Sequence, residues 1–308
     1  MAGKARSPEK RPRRRPHRVV MLVYPQAQIL DITGPLEIFA RTTRWLRDHR
    51  GVRTPAYEIA MVAARPGPME TSGSLKLLVE HDYRDAGRID TLLIAGGIGW
   101  EAALHDAAML EWIRAQSRRV ERLGSICTGA LVLAAAGLLD GKPATTHWAY
   151  CTRLACLAPA ARVEQDAIYV RSGQLYTSAG VTAGMDMALA LVEEDWGKAT
   201  ALAVAQELVM FLKRPGGQSQ FSRHLEAQQR DDRFGALGLW MVEHLDADLS
   251  VERLAARANL SPRHFAREFA AHVGATPAAY VARIRVEQAR RRIEEGAERL
   301  YGDRKSVV

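Results

Sequence analysis

The segment LGSICTGA, residues 123–130, places Cys127 between a short apolar run and small residues that favour a helix. A nucleophile at such a strand-to-helix turn is exposed above the edge of a sheet. Backbone N–H groups and the helix dipole favour thiolate there, so we expect a lowered pKa for Cys127. A lone cysteine is also commonly a small buried apolar residue. Cys127 is therefore a candidate nucleophile, a candidate ligand-sensing residue, or a buried thiol.

Gly96 and Gly97 follow another apolar run and are candidate ligand-binding residues. Glycines at the end of a strand can turn backbone N–H groups into a cleft, as an oxyanion hole or a carboxylate-binding nest requires. Turn glycines are common, so this pattern is weak evidence by itself. The sequence has no phosphate-binding loop, dinucleotide fingerprint or metal triad. We therefore expect neither a metal nor a cofactor.

Composition excludes several classes of protein. Cys127, Cys151 and Cys156 form an odd set without C-x-x-C spacing, which argues against a disulfide framework and a zinc site. No apolar run reaches the roughly 18 residues of a membrane span, so we expect no membrane contact. The basic N-terminus leads into the first apolar run without the pattern of a secretory signal. A reducing cytoplasm is therefore the expected location.

Charge is distributed unevenly along the chain. The net charge is +8, of which residues 1–18 carry +7 and residues 250–308 carry +5, while residues 19–249 carry −4. Basic ends around a mildly acidic body indicate polyanion contact at the ends and small-molecule chemistry in the body. For residues 1–17 we favour a disordered, solubilising tail over a dedicated DNA-binding arm.

The elements that must position these residues alternate between strands and helices. Strands are expected at 18–25, 57–64, 90–97, 167–170 and 174–180. Helices are expected at 34–49, 101–118, 128–139, 181–196 and 198–213. The alternation predicts an α/β fold, a flavodoxin-like doubly wound parallel sheet with helices on both faces.

The segment RPGGQSQF, residues 214–221, interrupts the pattern with proline and two glycines. We therefore expect a linker at 214–233. It separates an α/β ligand-sensing domain at 18–213 from an all-α domain at 234–308.

Within the second domain, a short helix, a tight connection at 258–260 and a second helix have the spacing of a helix-turn-helix. Ser250 and Ser261 are the expected N-caps. Phe265 and Phe269 recur at helical spacing, so the second helix buries one face. Its other face carries the candidate DNA-binding residues Arg263, His264 and Arg267. An arginine there can donate two hydrogen bonds to guanine in the major groove.

Residues 249–296 resemble the first half of an AraC-type DNA-binding domain, on the motifs LA, SPR, F-x-x-x-F, G-x-T-P and R-x-x-x-A. The resemblance implies double-stranded promoter or operator DNA as a partner, with Arg263, His264 and Arg267 facing the groove. The family carries two helix-turn-helix units, whereas this sequence contains one. We expect weakened DNA binding for that reason. Two alternatives follow: a homodimer supplies a second recognition helix, or the chain is a truncated or frame-shifted product that binds DNA poorly.

The segments LLIAGG, SICTGALVLAAAGLLDGKPATTHW and TSAGVTAGMDMALALVEEDWG resemble the PfpI-type, class I glutamine amidotransferase-like fold. They are most similar to its branch fused to AraC-type domains, the GlxA-like transcriptional regulators. The resemblance implies a small effector, nitrogen-containing by expectation, bound in a cleft that contains Cys127. Peptidase members place a histidine after the cysteine, where this chain has Thr128. His147 follows the cysteine in sequence and is expected to line the pocket or to serve structure.

The segment LDITGP, residues 30–35, is similar to the same segment of isonitrile hydratases, which also share CTG and TTHW. That resemblance implies that Asp31 assists the attack of Cys127, with Thr128 adjacent. Asp31 has an alternative role as N-cap of a helix that begins near Gly34. Two functions follow: a DNA-binding regulator that senses a metabolite, or an isonitrile hydratase-like lyase or amide hydrolase with a vestigial DNA-binding segment.

Overall fold

The computed structural model describes residues 15–212, 217–218, 234, 237–238, 240–241 and 244–286. The chain divides into two compact units between Gln218 and Ser219. Most of the expected tail, most of the expected linker and residues 287–308 of the expected all-α domain lie outside the described residues.

The first unit is built on a mostly parallel sheet of seven strands within residues 15–212. Its strands are β1 (His17–Leu22), β2 (Tyr57–Ala63), β5 (His81–Asp82), β6 (Thr91–Ile94), β7 (Arg122–Ile126), β10 (Tyr169–Ser172) and β11 (Leu175–Ser178). They lie in the order β5-β2-β1-β6-β7-β11-β10, and the edge strand β10 is antiparallel to its neighbour. Two separate pairs are β3 (Gly67–Glu70) with β4 (Lys76–Val79) and β8 (Pro143–Ala144) with β9 (Arg162–Val163).

The strand order confirms the predicted doubly wound fold. β1 pairs in parallel with β2 on one side and with β6 on the other, so the chain changes direction across the sheet at β1. In such sheets ligands bind outside the carboxyl ends of the strands at that point. All four residues of β6 are buried, as expected of a central parallel strand covered on both faces.

Helices of the first unit depart from the predicted bounds at several ends. They are α1 (Ile29–Arg50), α2 (Trp100–Ala103), α3 (Ala107–Ser117), α4 (Gly129–Ala135), α5 (Cys151–Leu157), α6 (Ala183–Trp196) and α7 (Lys198–Glu207). The helix expected at 101–118 is interrupted, because the Asp106 side chain accepts a hydrogen bond from the Met109 amide and starts α3 anew. The helix expected at 198–213 ends at Glu207, with Val209 in the left-handed region at φ 54°.

The second unit contains the predicted helix-turn-helix. Its helices are α8 (Val251–Arg257) and α9 (Pro262–Val273), and residues 277–286 are helical as well. The side chains of Ser250 and Ser261 accept hydrogen bonds from Arg253 N–H and His264 N–H, so both predicted N-caps are confirmed. Asn259 in the connecting turn has φ 54°. Phe265 and Phe269 are fully buried in the core of this unit.

Candidate functional site

Cys127 lies at the carboxyl end of β7, and the predicted strand-to-helix turn is confirmed there. Its φ of 54° lies in the left-handed region, which costs a non-glycine residue free energy and persists only where surrounding contacts hold it. Two hydrogen bonds do so: Cys127 N–H donates to Ser178 O at 3.1 Å, and Thr146 Oγ1 donates to Cys127 O at 2.8 Å.

Asp31 lies beside Cys127, although the two are far apart in sequence. It occupies the first turn of α1, and its side chain is fully buried. A Cβ atom added to Gly96 would approach the Asp31 carboxylate and would lie 2.7 Å from Cys127 Cβ, so the three residues meet and only glycine fits at position 96. The alternative role of Asp31 as an N-cap is wrong, because α1 begins earlier than expected and its N-cap is Gln28.

The Asp31 carboxyl has an unusual environment for an acid. Among the described residues, no group meets hydrogen-bond geometry with either of its oxygens. Burial raises its pKa from 3.8 to about 7. The nearby Gly96 N–H and Cys127 thiol favour the ionised form and offset only part of this rise. Asp31 therefore exchanges its proton close to neutral pH.

The Cys127 thiol does not behave as the sequence pattern predicted. Burial raises its pKa well above the ordinary range, the charge of Asp31 raises it further, and the backbone N–H of Thr128 only partly offsets both effects. The prediction of a lowered pKa is wrong because Cys127 is only 8% exposed, and a thiolate there loses more solvation than the start of α4 returns. The resting group is a neutral thiol.

Thr128 ties the Cys127 turn to the loop after β6. Its Oγ1 accepts a hydrogen bond from Gly97 N–H at 2.9 Å and donates one to Gly97 O at 3.0 Å. Gly97 has φ 136°, a conformation that side chains other than hydrogen rarely allow. The Gly97 N–H therefore donates to Thr128, whereas we expected it to face a ligand.

Tyr24 belongs to the site although the sequence did not single it out. It is buried, its hydroxyl donates to Ala95 O at 2.8 Å, and its pKa is raised by burial first and then by its proximity to the Asp31 carboxyl and the Cys127 thiol. Tyr24 lies near the end of the apolar run VVMLVYP, where a tyrosine is typical of a buried strand. The one signal in the sequence was its position at the carboxyl end of a strand, where ligands bind in such sheets.

In the TTHW segment, Thr146 rather than His147 contacts the cysteine. His147 is half-buried, its Nδ1 accepts from Ala149 N–H at 3.3 Å, and burial lowers its pKa, which favours the neutral ring. Within the described part of the chain no hydrogen bond joins this ring to Cys127. His147 therefore caps the short helical turn at Trp148–Tyr150, while the Thr146 hydroxyl supports the Cys127 turn.

Apolar side chains that are exposed flank the buried polar groups in sequence. Leu30 precedes Asp31, Ile98 follows Gly97 and Trp148 follows His147, with exposed fractions of 51%, 65% and 51%. Exposed apolar residues next in sequence to these groups are candidates to contact the apolar part of a small ligand. No three His, Cys, Asp or Glu side chains of the described residues gather as a metal site. No helix among them is long and apolar enough to cross a membrane.

The three candidate DNA-binding residues are all exposed on α9, opposite the buried Phe265 and Phe269. Arg267 forms an ion pair with its neighbour Glu268 at 3.2 Å, and His264 Nε2 lies 3.8 Å from the same carboxylate. Exposed pairs of this kind are weak, so they leave Arg267 available to a stronger anion.

Comparison with known proteins matches residues 17–194 to the DJ-1/PfpI family and residues 254–300 to a helix-turn-helix domain. A crystal structure of a THiJ/PfpI family protein from Pseudomonas syringae superimposes with a TM-score of 0.56 and 30% identity, covering 65% of this chain and 77% of that one.

Two named relatives represent the two expected functions. The isonitrile hydratase of Pseudomonas putida is 37% identical over 187 residues, which is 61% of this chain and 75% of that protein. The HTH-type transcriptional regulator GlxA of Rhizobium meliloti is 27% identical over 242 residues, which is 78% of this chain and 74% of that protein. Further relatives also carry the name HTH-type transcriptional regulator.

Proposed function

The chain belongs to the DJ-1/PfpI family and carries an AraC-type helix-turn-helix domain, and from this premise we propose that it regulates transcription by sensing a small nitrogen-containing metabolite at Cys127. Relatives named HTH-type transcriptional regulators match 78% of the chain, which is more than the first unit alone contains. The presence of both domains in one chain is the observation that carries the proposal, because an enzyme alone has little use for a helix-turn-helix domain. A regulator of this kind acts on the chromosome, so its location is the bacterial cytoplasm, with the nucleoid.

The geometry of α9 supports DNA binding by this chain. The helix is fixed at both ends by Ser261 and by Gly274, whose φ of 72° ends it, and by the burial of its apolar face. A rigid helix that presents Arg263, His264 and Arg267 together suits the major groove. A homodimer would place two such helices on one operator.

The chemistry at Cys127 supports sensing. The neutral, buried Cys127 thiol is a poor nucleophile at rest. A ligand beside it would change the protonation of Asp31, whose pKa is about 7, and the conformation of the strained Cys127 turn. A ligand that binds one conformation of this turn better than another shifts the population of the regulator without turnover.

Replacing Arg263 and Arg267 together with alanine tests the proposal. We expect operator affinity to fall at least about tenfold, since each arginine lost from a base or phosphate contact costs roughly 1 kcal/mol or more. The operator is first found by selecting genomic fragments that bind the full chain. Arg119→Ala with Arg162→Ala removes the same charge from exposed positions of the first unit and serves as the control. Equal binding by both double variants and the parent contradicts the proposal.

Two observations favour a second function. Asp31, Cys127 and Thr128 meet in a buried site, and a relative with 37% identity is an isonitrile hydratase. Addition of the Cys127 S–H bond across the terminal carbon of an isonitrile gives a thioimidate, with Asp31 passing the proton from sulfur to carbon. Water then attacks that carbon, yields the N-substituted formamide and restores the thiol.

Cys127→Ala separates the two functions. Loss of alkyl isonitrile hydration with unchanged operator binding supports the enzyme, and Cys151→Ala is the matched control because Cys151 is also a buried free thiol. Absence of hydration by the parent chain, together with selective DNA binding, supports the regulator alone.

A further inference from the structure

Gln218 is buried, with 6% of its surface exposed, although it lies in the segment expected to be a linker. Its Nε2 lies within hydrogen-bond distance of four oxygen atoms of the first unit: Thr145 Oγ1 at 3.2 Å, Thr146 O at 3.1 Å, Gln165 O at 3.1 Å and Ala167 O at 3.0 Å. A buried amide donor stabilises a structure only where acceptors receive it. The first unit therefore provides a fitted receptor for this side chain.

The backbone around Gln218 is fitted as closely as the side chain. Gln218 N–H donates to Asp166 O at 2.9 Å. A Cβ atom added to Gly217 would collide with the same carbonyl oxygen, so position 217 accepts only glycine. We call Gly217 and Gln218 together the Gln218 anchor.

One residue joins the anchor to the candidate site. The Thr146 carbonyl accepts from Gln218 Nε2, and the Thr146 hydroxyl donates to Cys127 O at 2.8 Å. Thr145, its neighbour, accepts from the same amide and is itself held by a hydrogen bond from its N–H to Thr177 Oγ1 at 2.8 Å. A shift of the Cys127 carbonyl therefore displaces Thr146 and changes the acceptors around Gln218.

We propose that Gln218 transmits the binding of a group at Cys127. Such a group changes the hydrogen bonds that the first unit makes with Gln218, and Gln218 starts the segment that leads to the helix-turn-helix. The chain continues directly from Gln218 through residues 219–233 toward that unit. The inference rests on the proposed regulatory function and names its transmitting element. Strain at Cys127 makes the turn responsive, since a conformation maintained by neighbouring contacts relaxes when one of them is lost.

Hydrogen exchange of the full chain tests this link without DNA. Iodoacetamide is the probe, and a Cys151→Ala, Cys156→Ser background leaves Cys127 as the one thiol that it can alkylate. We expect the backbone N–H of Gln218, which donates to Asp166 O, to exchange about tenfold faster after alkylation, because displacement of the side-chain acceptors loosens the residue. Adding Cys127→Ala to this background removes the effect. An unchanged rate in the alkylated chain overturns the proposal.

DNA binding tests whether the link reaches the second unit. Alkylation at Cys127 is expected to change operator affinity at least about fivefold in the parent, and less than about twofold in Gln218→Met, which keeps the length of the side chain without its amide. The matched control is Gln174→Met, since the exposed Gln174 also donates its amide to a carbonyl, Ser117 O at 2.8 Å, in the first unit. It should respond as the parent does.

Each result has a separate meaning. An equal response of Gln218→Met and the parent overturns the coupling role. Failure of the parent to select any operator defeats the proposed function, while the exchange experiment still decides whether Cys127 and Gln218 communicate. Should Gln218→Met not fold, Gln218→Asn keeps the amide but withdraws it by one methylene, and the same loss of response is expected.

Discussion

Burial, more than position in the chain, determines the chemistry of the residues around Cys127. The start of a helix favours an anion by about 0.3–1 kcal/mol, whereas full burial shifts a pKa by several units, each about 1.4 kcal/mol. The strand-to-helix pattern singles out Cys127, and the resemblance to isonitrile hydratases points to Asp31 and Thr128. Neither contains a measure of burial, so the pattern predicts the wrong sign for the pKa shift at Cys127. Tyr24 and Thr146 escape prediction because their contacts depend on the tertiary fold.

Asp31→Asn should change how stability depends on pH. The folded chain keeps the Asp31 proton up to about pH 7, while the unfolded chain releases it near the ordinary pKa of 3.8. The parent's free energy of unfolding therefore falls as pH rises between these values, by up to ~4 kcal/mol relative to the variant. Urea unfolding at a series of pH values measures the difference. Asp140→Asn, at an exposed position, should follow the parent, and parallel profiles for Asp31→Asn and the parent contradict the expectation.

The same substitution should make Cys127 more reactive. Above pH 7 the ionised Asp31 raises the pKa of Cys127, so its removal increases the thiolate fraction and speeds alkylation by iodoacetamide at pH 8.5 by at least about threefold. Mass spectrometry of the Cys127 peptide gives the rate, and the exposed Cys156 provides an internal reference. A slower reaction would instead identify Asp31 as the base that activates the thiol.

At the scale of elements, strands are more predictable than the starts and ends of helices. Apolar runs locate β1, β2, β6 and β11 because a central parallel strand has few alternatives. The start of α1 is misplaced because glycine and proline in LDITGP are typical of a turn, yet Pro35 lies inside the helix. Short pairs such as β3 with β4 are not predicted, since runs of four residues carry too little pattern.

Ser261→Ala tests the cap that starts α9. Loss of the hydrogen bond from His264 N–H to the Ser261 hydroxyl should cost about 1 kcal/mol. Amide hydrogen exchange in the first turn of α9 should then be about fivefold faster, with a lower affinity for the operator. Ser261→Asp retains a capping oxygen and should behave as the parent. Similar losses in both variants would show that the cap contributes nothing to the helix.

At the scale of the whole molecule, the division of charge follows from the amino-acid sequence alone. Residues 19–249 carry −4 and residues 250–308 carry +5, so the α/β body does not attract DNA while the helix-turn-helix region does. The fold class of each part is equally predictable, because motifs from two families appear in a fixed order. The burial of Gln218 in the first unit is not predictable from the sequence, since a buried and an exposed glutamine look alike in a polar segment.

Salt dependence of DNA binding should reflect this division of charge. Affinity for the operator should fall linearly on a logarithmic scale of salt concentration, with a slope set by the number of phosphates that Lys and Arg neutralise. Removing residues 1–14, which contain six Lys and Arg, should weaken binding to random duplex and to the operator by similar factors, because a basic segment attracts any polyanion. The ratio of the two affinities should then change by less than about twofold.

In Arg263→Ala with Arg267→Ala, by contrast, the ratio of operator affinity to random-duplex affinity should fall sharply at every salt concentration, because base contacts carry the preference for one sequence. A truncated chain that loses its preference, beside a double variant that keeps it, would assign sequence reading to the tail and not to α9.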